Sequence, residues 1–151
     1  MKLAEALQER AAVNKDIYQL RERLERNVLV QEGEQPAEDP LELKRQLDEC
    51  HDRLEYLIQK INLTNCSVKF EGKTLTQLIA RRDVLQQKFS NYERIIAEAS
   101  RSTARARSTE IKIIPIISVK KWQKELDEIS KELRQLENRI QQINWTADLI
   151  E

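Results

Sequence analysis

The sequence predicts a mainly helical protein, an elongated antiparallel bundle of four long helices with a small two-strand β element. Apolar residues recur at alternating steps of three and four, which is the spacing of the seams in coiled coils and antiparallel bundles. Charged residues make up 34% of the chain, aromatic residues only 5%. Two glycines and three prolines in 151 residues leave few tight turns. We therefore expect a single helical domain over residues 1–151.

The first predicted helix covers about residues 3–29 and ends before a connector, residues 31–40, that contains two prolines, a glycine and four acids. Such a connector cannot continue a helix. Asp39 followed by Pro40 predicts the start of a second helix over about residues 40–61, because aspartate caps helices and proline fits their first turn. Its stripe is Leu43, Leu47, Cys50, Leu54, Leu57 and Ile61.

Residues 67–70 alternate polar and apolar side chains, which predicts a short strand that ends at Glu71-Gly72. Thr74 and Gln77 then predict a capping box at the start of a third helix over about residues 75–100. The third helix carries its own apolar stripe, formed by Leu78, Leu85, Phe89, Tyr92, Ile96 and Ala99.

The β-branched run at residues 111–116 predicts a second strand, which Pro115 confines to an edge or a strand end. A fourth helix is expected over about residues 119–143, capped by Ser118. We expect residues 67–70 to pair with residues 111–116, either within one chain or across two copies, and the second arrangement is favoured. The third helix is about 39 Å long, whereas the linker behind it spans only about 33 Å when extended.

The charge balance excludes several classes of function. Twenty-six basic and 26 acidic residues give a net charge of zero, which argues against a nucleic-acid partner. The first five residues are already charged and contain no apolar signal core. No apolar run approaches the ~20 residues that a membrane span needs. We expect a cytoplasmic protein without a membrane partner, and the narrow seams predict a homo-oligomer of at least two chains.

Few residues are suited to catalysis. The single histidine, His51, lies beside Cys50, and neighbouring helix positions point about 100° apart, so the two do not converge on one metal ion. The chain contains no glycine-rich phosphate loop and no Glu-x-x-His pair of the kind that di-iron bundles use. We expect no metal and no cofactor, we assign no catalytic residue, and a non-enzymatic protein is favoured.

Several short motifs resemble a bacterial family of uncharacterised proteins, some of which carry the label septicolysin. The resemblance rests on residues 21–27, 30–40, 61–65, 75–76, 82–83, 108–112 and 143–146. It implies a small bacterial protein of unestablished activity. The label suggests a pore-forming cytolysin, which is the less favoured interpretation because every predicted helix has a charged face.

The motif positions give a set of candidate residues for binding or subunit contact. The set consists of Asn27, Glu32, Glu34, Asn62, Asn65, Arg82, Asp83, Glu110, Lys112, Asn144 and Trp145. Asn62 and Asn144 are also expected to cap the C-termini of helices. The leading hypothesis is a structural, scaffold or interaction protein. The alternative is a small-molecule-binding or hydrolytic protein whose polar site lies near helix ends.

Overall fold

The computed structural model describes residues 1–101 and 112–150, and this part of the chain forms four α-helices and one two-stranded sheet. The elements are α1 (Leu3–Glu25), α2 (Pro40–Ser67), β1 (Lys69–Phe70), β2 (Lys73–Thr74), α3 (Leu75–Arg101) and α4 (Val119–Thr146). The prediction of a mainly helical protein with four helices and a small two-stranded β element is confirmed. Contacts between residues divide into two compact units: Met1–Lys69 with Ile143–Glu151, and Phe70–Gln142.

In the first unit, α1 and α2 pack side by side in opposite directions. Arg53, at the middle of α2, binds Glu9, in the first half of α1, with 2.6 Å between Nε and Oε1. Arg23, near the end of α1, binds Glu38 just before α2, with 3.1 Å between Nε and Oε2. The apolar stripes of both helices face each other at the core, where the buried residues are Leu3, Ala6, Val13, Leu20, Leu43, Leu57 and Ile61.

Residues 147–150 close this unit by pairing with the first residues of the chain. The Leu3 N–H donates to the Ala147 carbonyl over 3.0 Å, and the Leu149 N–H donates to the Met1 carbonyl over 2.9 Å. The Ile150 N–H donates to the Thr64 hydroxyl oxygen over 3.0 Å. We call these contacts the terminal clasp. Leu149 is buried beneath it, so the clasp joins backbone pairing to apolar packing.

The second unit is built on α3 and α4, which also run antiparallel. Tyr92, late in α3, lies against Trp122, early in α4, with their ring centroids 5.7 Å apart. Arg81, early in α3, binds Glu132, later in α4, over 2.8 Å. Both predicted stripes point inwards, and the buried residues are Leu75, Leu78, Leu85, Ile96, Leu126, Ile129 and Ile140.

The small sheet is a tight hairpin. Glu71 and Gly72 connect β1 to β2 with φ angles of 48° and 80°, the two positive values that define a type I′ turn. The predicted strand at residues 67–70 is therefore correct only for residues 69–70, because Ser67 still belongs to α2. Its partner is the adjacent strand β2, since a two-residue turn closes at a lower entropy cost than a long loop.

The second predicted strand, residues 111–116, is wrong where the structure describes it. Residues 112–116 are not paired as a strand, and residue 111 lies outside the described part of the chain. Pairing of 67–70 with 111–116 within one chain is therefore wrong where the structure describes it, whereas pairing between two copies stays a prediction. Lys69 and Phe70 already have a local partner, and Pro115 removes a backbone donor from the other segment.

Two helices end at residues other than those predicted. The first helix ends at Glu25 rather than near residue 29, because Asn27 turns the chain. The second continues to Ser67 rather than to residue 61, since no glycine or proline interrupts residues 62–67. Asn62 and Asn144 therefore lie inside α2 and α4, and their predicted role as caps is wrong. The predicted caps that the structure confirms are Asp39, the Thr74–Gln77 capping box and Ser118.

Substitution of Thr64 tests how much the terminal clasp contributes to the stability of the fold. The Thr64 side chain is fully buried, donates to the Lys60 carbonyl and accepts from the Ile150 N–H. Thr64→Val keeps the shape and removes both hydrogen bonds, so we expect the free energy of unfolding to fall by about 1–3 kcal/mol. Urea denaturation measures this loss. Ser67→Ala is the matched control, because Ser67 is exposed and bonds only within its own helix.

A second variant separates the hydrogen bonds from packing. Thr64→Ser retains the hydroxyl and loses a methyl group, so its stability is expected to lie closer to the wild type than that of Thr64→Val. The reverse order would show that the buried methyl group, and not the bond to the tail, stabilises this position.

Candidate functional site

Asn27 locks the end of α1 to the chain that leads into α2. Its side-chain amide N–H donates to the Arg23 carbonyl over 2.8 Å, and its side-chain oxygen accepts from the Glu38 N–H over 2.9 Å. The residue is buried, and the Arg23–Glu38 ion pair lies beside it. Both ends of the amide are therefore engaged within the protein, which gives Asn27 a clear structural role at this turn.

Apolar residues are exposed at the turn between α1 and α2, next to Asn27. We define the tip patch as Val28, Leu29, Val30 and Leu41; Leu29 is 86% exposed and Leu41 77%. Glu32 and Glu34, two of the candidate residues, are exposed on the same turn. Gly33 between them has a φ of 88°, a conformation that glycine adopts without strain. The tip is therefore apolar and acidic at once.

A second exposed apolar stretch precedes α4. We define the lead-in patch as Ile113, Ile114 and Ile116, which are 54%, 70% and 98% exposed. Lys112, another candidate residue, is exposed next to it, whereas Glu110 lies outside the described residues. The lead-in patch is therefore apolar and bordered by a positive charge.

Four further candidate residues lie in the first unit near the terminal clasp. Asn144 is buried and Asn65 half-buried, while Asn62 and Trp145 are exposed. Asn27 belongs to the opposite end of α1, which at 23 residues is about 34 Å long. The candidate residues of this unit are thus divided between its two ends and do not surround one site.

Arg82 and Asp83 belong to α3 in the second unit and bind each other. The Arg82 Nη2 lies 2.8 Å from the Asp83 carboxylate. Arg82 is half-buried and Asp83 exposed. The pair is complete in itself, and the structure does not bring it together with another described candidate residue in its unit.

A groove of about 390 Å³ in the second unit was not predicted from the sequence. The β-hairpin supplies Phe70, Glu71 and Lys73 to its walls, and the remaining lining residues are Gln77, Leu78, Arg81, Glu132, Gln135, Leu136 and Arg139. The Arg139 guanidinium stacks on the Phe70 ring, 4.6 Å from its centroid, and binds Glu71 over 3.2 Å. Basic groups from three different elements therefore converge here.

The groove suits an anionic group attached to an apolar body. It holds three cations, Lys73, Arg81 and Arg139, against two carboxylates, and Leu78 and Leu136 contribute apolar surface. Arg81 and Arg139 are each paired with one acid, but Lys73 forms no ion pair with any residue that the structure describes. The sequence does not predict this site because its residues lie far apart in the chain. In the sequence alone, Arg81 cannot be told apart from the many other charged residues of the helices.

A second groove, of about 410 Å³, runs along α1 and α2 and includes Cys50. Burial raises the pKa of the Cys50 thiol, and the carboxylates of Asp16 and Glu49 raise it further. The thiol is therefore protonated near neutral pH, and a protonated thiol is a weak nucleophile and a weak metal ligand. We assign no chemistry to this groove.

The described residues contain no cluster of histidine, cysteine and acidic side chains that could hold a metal ion. Every deeply buried side-chain nitrogen or oxygen among them has a hydrogen-bond partner. No helix within residues 1–101 and 112–150 is long and apolar enough to span a membrane.

Comparisons with known proteins agree on a family without an assigned function. A family model described as a family of unknown function, DUF6847, matches residues 10–149. Among solved structures, the crystal structure of a functionally unknown conserved protein from Corynebacterium diphtheriae is similar, with 34% sequence identity and a TM-score of 0.90. The match covers 99% of this chain and 99% of that chain. No curated protein matches the chain.

The expected membership of a septicolysin-labelled family is wrong, because the matching family and the matching structure both have unknown function. Much of the resemblance rested on residues 21–40. In the structure this segment is the end of α1 and the turn that follows it, where Asn27 and Gly33 shape the backbone. These motifs describe how a helix ends and do not describe an activity.

The ion pairs between α1 and α2 predict how stability changes with pH. Hydrogen bonds from Arg53 lower the pKa of Glu9 below its ordinary value of 4.5, and Arg23 does the same for Glu38. A carboxylate with a lowered pKa stabilises the folded state above its unfolded pKa, and this contribution is lost as the pH falls through the folded value. We expect the free energy of unfolding to decrease below pH 4.5, as measured by urea denaturation.

Glu9→Gln provides the comparison. The variant lacks one of the titrating carboxylates, so its stability should fall less between neutral and acidic pH than that of the wild type. Asp127→Asn is the control, because Asp127 accepts only from Gln123 within its own helix. An equal loss in the wild type and Glu9→Gln would contradict the role of the Glu9–Arg53 pair.

Proposed function

The chain belongs to the family of unknown function DUF6847, and we propose that it is a structural or interaction protein that assembles with further copies of itself. We also propose a cytoplasmic location. Support for the location comes from Cys50, which forms no disulfide with any residue that the structure describes, since reducing compartments keep thiols reduced.

The exposed apolar patches carry this proposal. Leu29, Leu41, Ile114 and Ile116 are each at least 70% exposed, more than any other large apolar side chain that the structure describes. Burying one leucine or isoleucine side chain contributes about 1.5–3 kcal/mol. A single chain gains nothing from these residues, whereas an assembled one does. Contiguous exposed apolar surface on a soluble protein is typical of an interaction site.

The thinness of the units supports assembly as well. Each unit contains only two long helices, so the helix stripes are covered from one side. Four apolar residues at the three- and four-residue spacing of the two helices remain half-buried: Ile17 and Leu24 in α1, and Leu47 and Leu54 in α2. A further pair of helices would cover them, which is the arrangement of an antiparallel four-helix bundle. The elongated bundle expected from the sequence is part of this proposal.

The molar mass in solution tests the proposal. Light scattering on the eluting protein at micromolar concentration should give at least twice the chain mass of 17.8 kDa. Leu29→Ser should shift the equilibrium towards the single chain, because it places a hydroxyl in a contact that needs an apolar group. Since Leu29 is 86% exposed, the substitution should leave the fold of one chain intact, as circular dichroism can verify.

Val84→Ser is the matched control. Val84 is an apolar residue on α3 with 57% exposure, and it belongs to neither patch. It should leave the mass unchanged. A mass of 17.8 kDa for the wild type at micromolar concentration would refute self-assembly.

Binding of a small anion is the second candidate function, and the groove beside the β-hairpin favours it. Lys73 is available there, and the paired Arg81 and Arg139 can turn towards a ligand without leaving the groove. Cations beside an apolar surface bind carboxylates or phosphates through charge-assisted hydrogen bonds. This candidate keeps the small-molecule alternative of the sequence analysis but assigns it different residues.

Titration with inorganic phosphate and with a short aliphatic dicarboxylate tests the groove. Side-chain NMR signals of Arg81 and Arg139 should shift in a saturable way with at least one probe. Lys73→Met should weaken the binding at least tenfold, because it removes the cation that has no ion-pair partner among the described residues. Lys120→Met, on the exposed side of α4, is the control. Shifts that rise linearly with ionic strength and are the same in both variants would exclude a site.

A further inference from the structure

The residues that border the two exposed apolar patches carry charges of opposite sign. We infer that the tip patch of one copy docks on the lead-in patch of a second copy, an inference that rests on the proposed self-assembly and names its interface. The tip patch is Val28, Leu29, Val30 and Leu41, and the lead-in patch is Ile113, Ile114 and Ile116. No other described stretch exposes consecutive large apolar residues to this degree.

Charge complementarity identifies the occupant as a second copy. Residues 28–39 contain four acids and no base. Residues 112–121, which include the lead-in patch, contain three bases, Lys112, Lys120 and Lys121, and no acid. Opposite charges at the rim of an apolar contact steer the encounter and set its orientation. The acidic tip is repelled by the negative surface of a membrane, so a lipid surface does not suit it.

The backbone at both patches is available for pairing. Leu29 and Val30 have no regular secondary structure, and neither do Ile113 and Ile114. Within the part of the chain that the structure describes, their backbone groups form no hydrogen bond. Apolar and β-branched residues in an irregular segment can add to another segment as a strand. Pro115 limits such pairing to the residues before it.

A two-fold arrangement uses each patch once. Each tip meets the lead-in patch of the other copy, and the two equivalent contacts related by the two-fold axis close the dimer without forming a fibre. Each of the seven side chains exposes on the order of 100 Å², so two such contacts bury about 1,500 Å², within the range of about 1,200–2,000 Å² that stable interfaces bury. The patches are therefore large enough for a stable dimer.

Disulfide formation between two different single-cysteine chains tests the interface. In a background of Cys50→Ala and Cys66→Ser, one chain carries Leu29→Cys and the other carries Ile114→Cys with a distinguishing tag. After mixing and mild oxidation, only a contact between copies can join them. We expect this pair to crosslink at least tenfold faster than Leu29→Cys with Val84→Cys, whose cysteine has similar exposure outside both patches.

Charge reversal tests the same contact without crosslinking. Glu32→Lys combined with Glu34→Lys should weaken the dimer at least tenfold. Adding Lys112→Glu to this chain should restore part of the affinity, since the signs again become complementary. Equal crosslinking rates for the Ile114 and Val84 positions would overturn the interface. If the mass is nevertheless that of a dimer, self-assembly stands and only this interface fails; a monomeric mass refutes both.

Discussion

The terminal clasp is the interaction on which the first unit depends. The two helices α1 and α2 meet along one narrow seam, and a two-helix pair is marginal by itself. The clasp adds a third segment, because residues 147–150 bond to the first residues of the chain and to Thr64. The Lys2–Asp148 ion pair lies over the same contact, at 2.7 Å. One buried hydroxyl, that of Thr64, therefore joins the last turn of α2 to Ile150.

At the other end of the same helices, the polar side chains of the turn have hydrogen-bond partners, whereas its apolar side chains are exposed to water. Asn27, Arg23 and Glu38 complete one another's hydrogen bonds, so they need no ligand. Leu29 and Leu41 remain in water. An unsatisfied polar group would indicate a small ligand, whereas exposed apolar side chains indicate a macromolecular partner. This contrast is why assembly is preferred to catalysis as the function.

The sequence predicted helices well because their apolar period and caps are local signals. Asp39, Thr74 and Ser118 each identified a helix start that the structure confirms. Within the chain, the partner of β1 is the adjacent strand β2 and not residues 112–116, because the turn at Glu71 and Gly72 closes the hairpin locally. The groove around Arg139 and the clasp on Thr64 also escaped prediction. Both join residues that are distant in sequence, and no local pattern encodes such contacts.

The terminal clasp also orders the events of folding. Helix pairing in α1 and α2 involves residues close in sequence, so it can begin as soon as this hairpin has been synthesised. The bond from Lys2 to the Thr146 carbonyl spans 144 positions and must wait until residue 146 has been synthesised. Until then Leu3 and Thr64 lack their cover. The nascent chain therefore presents an open seam between the synthesis of α2 and that of residues 146–150, which complete the first unit.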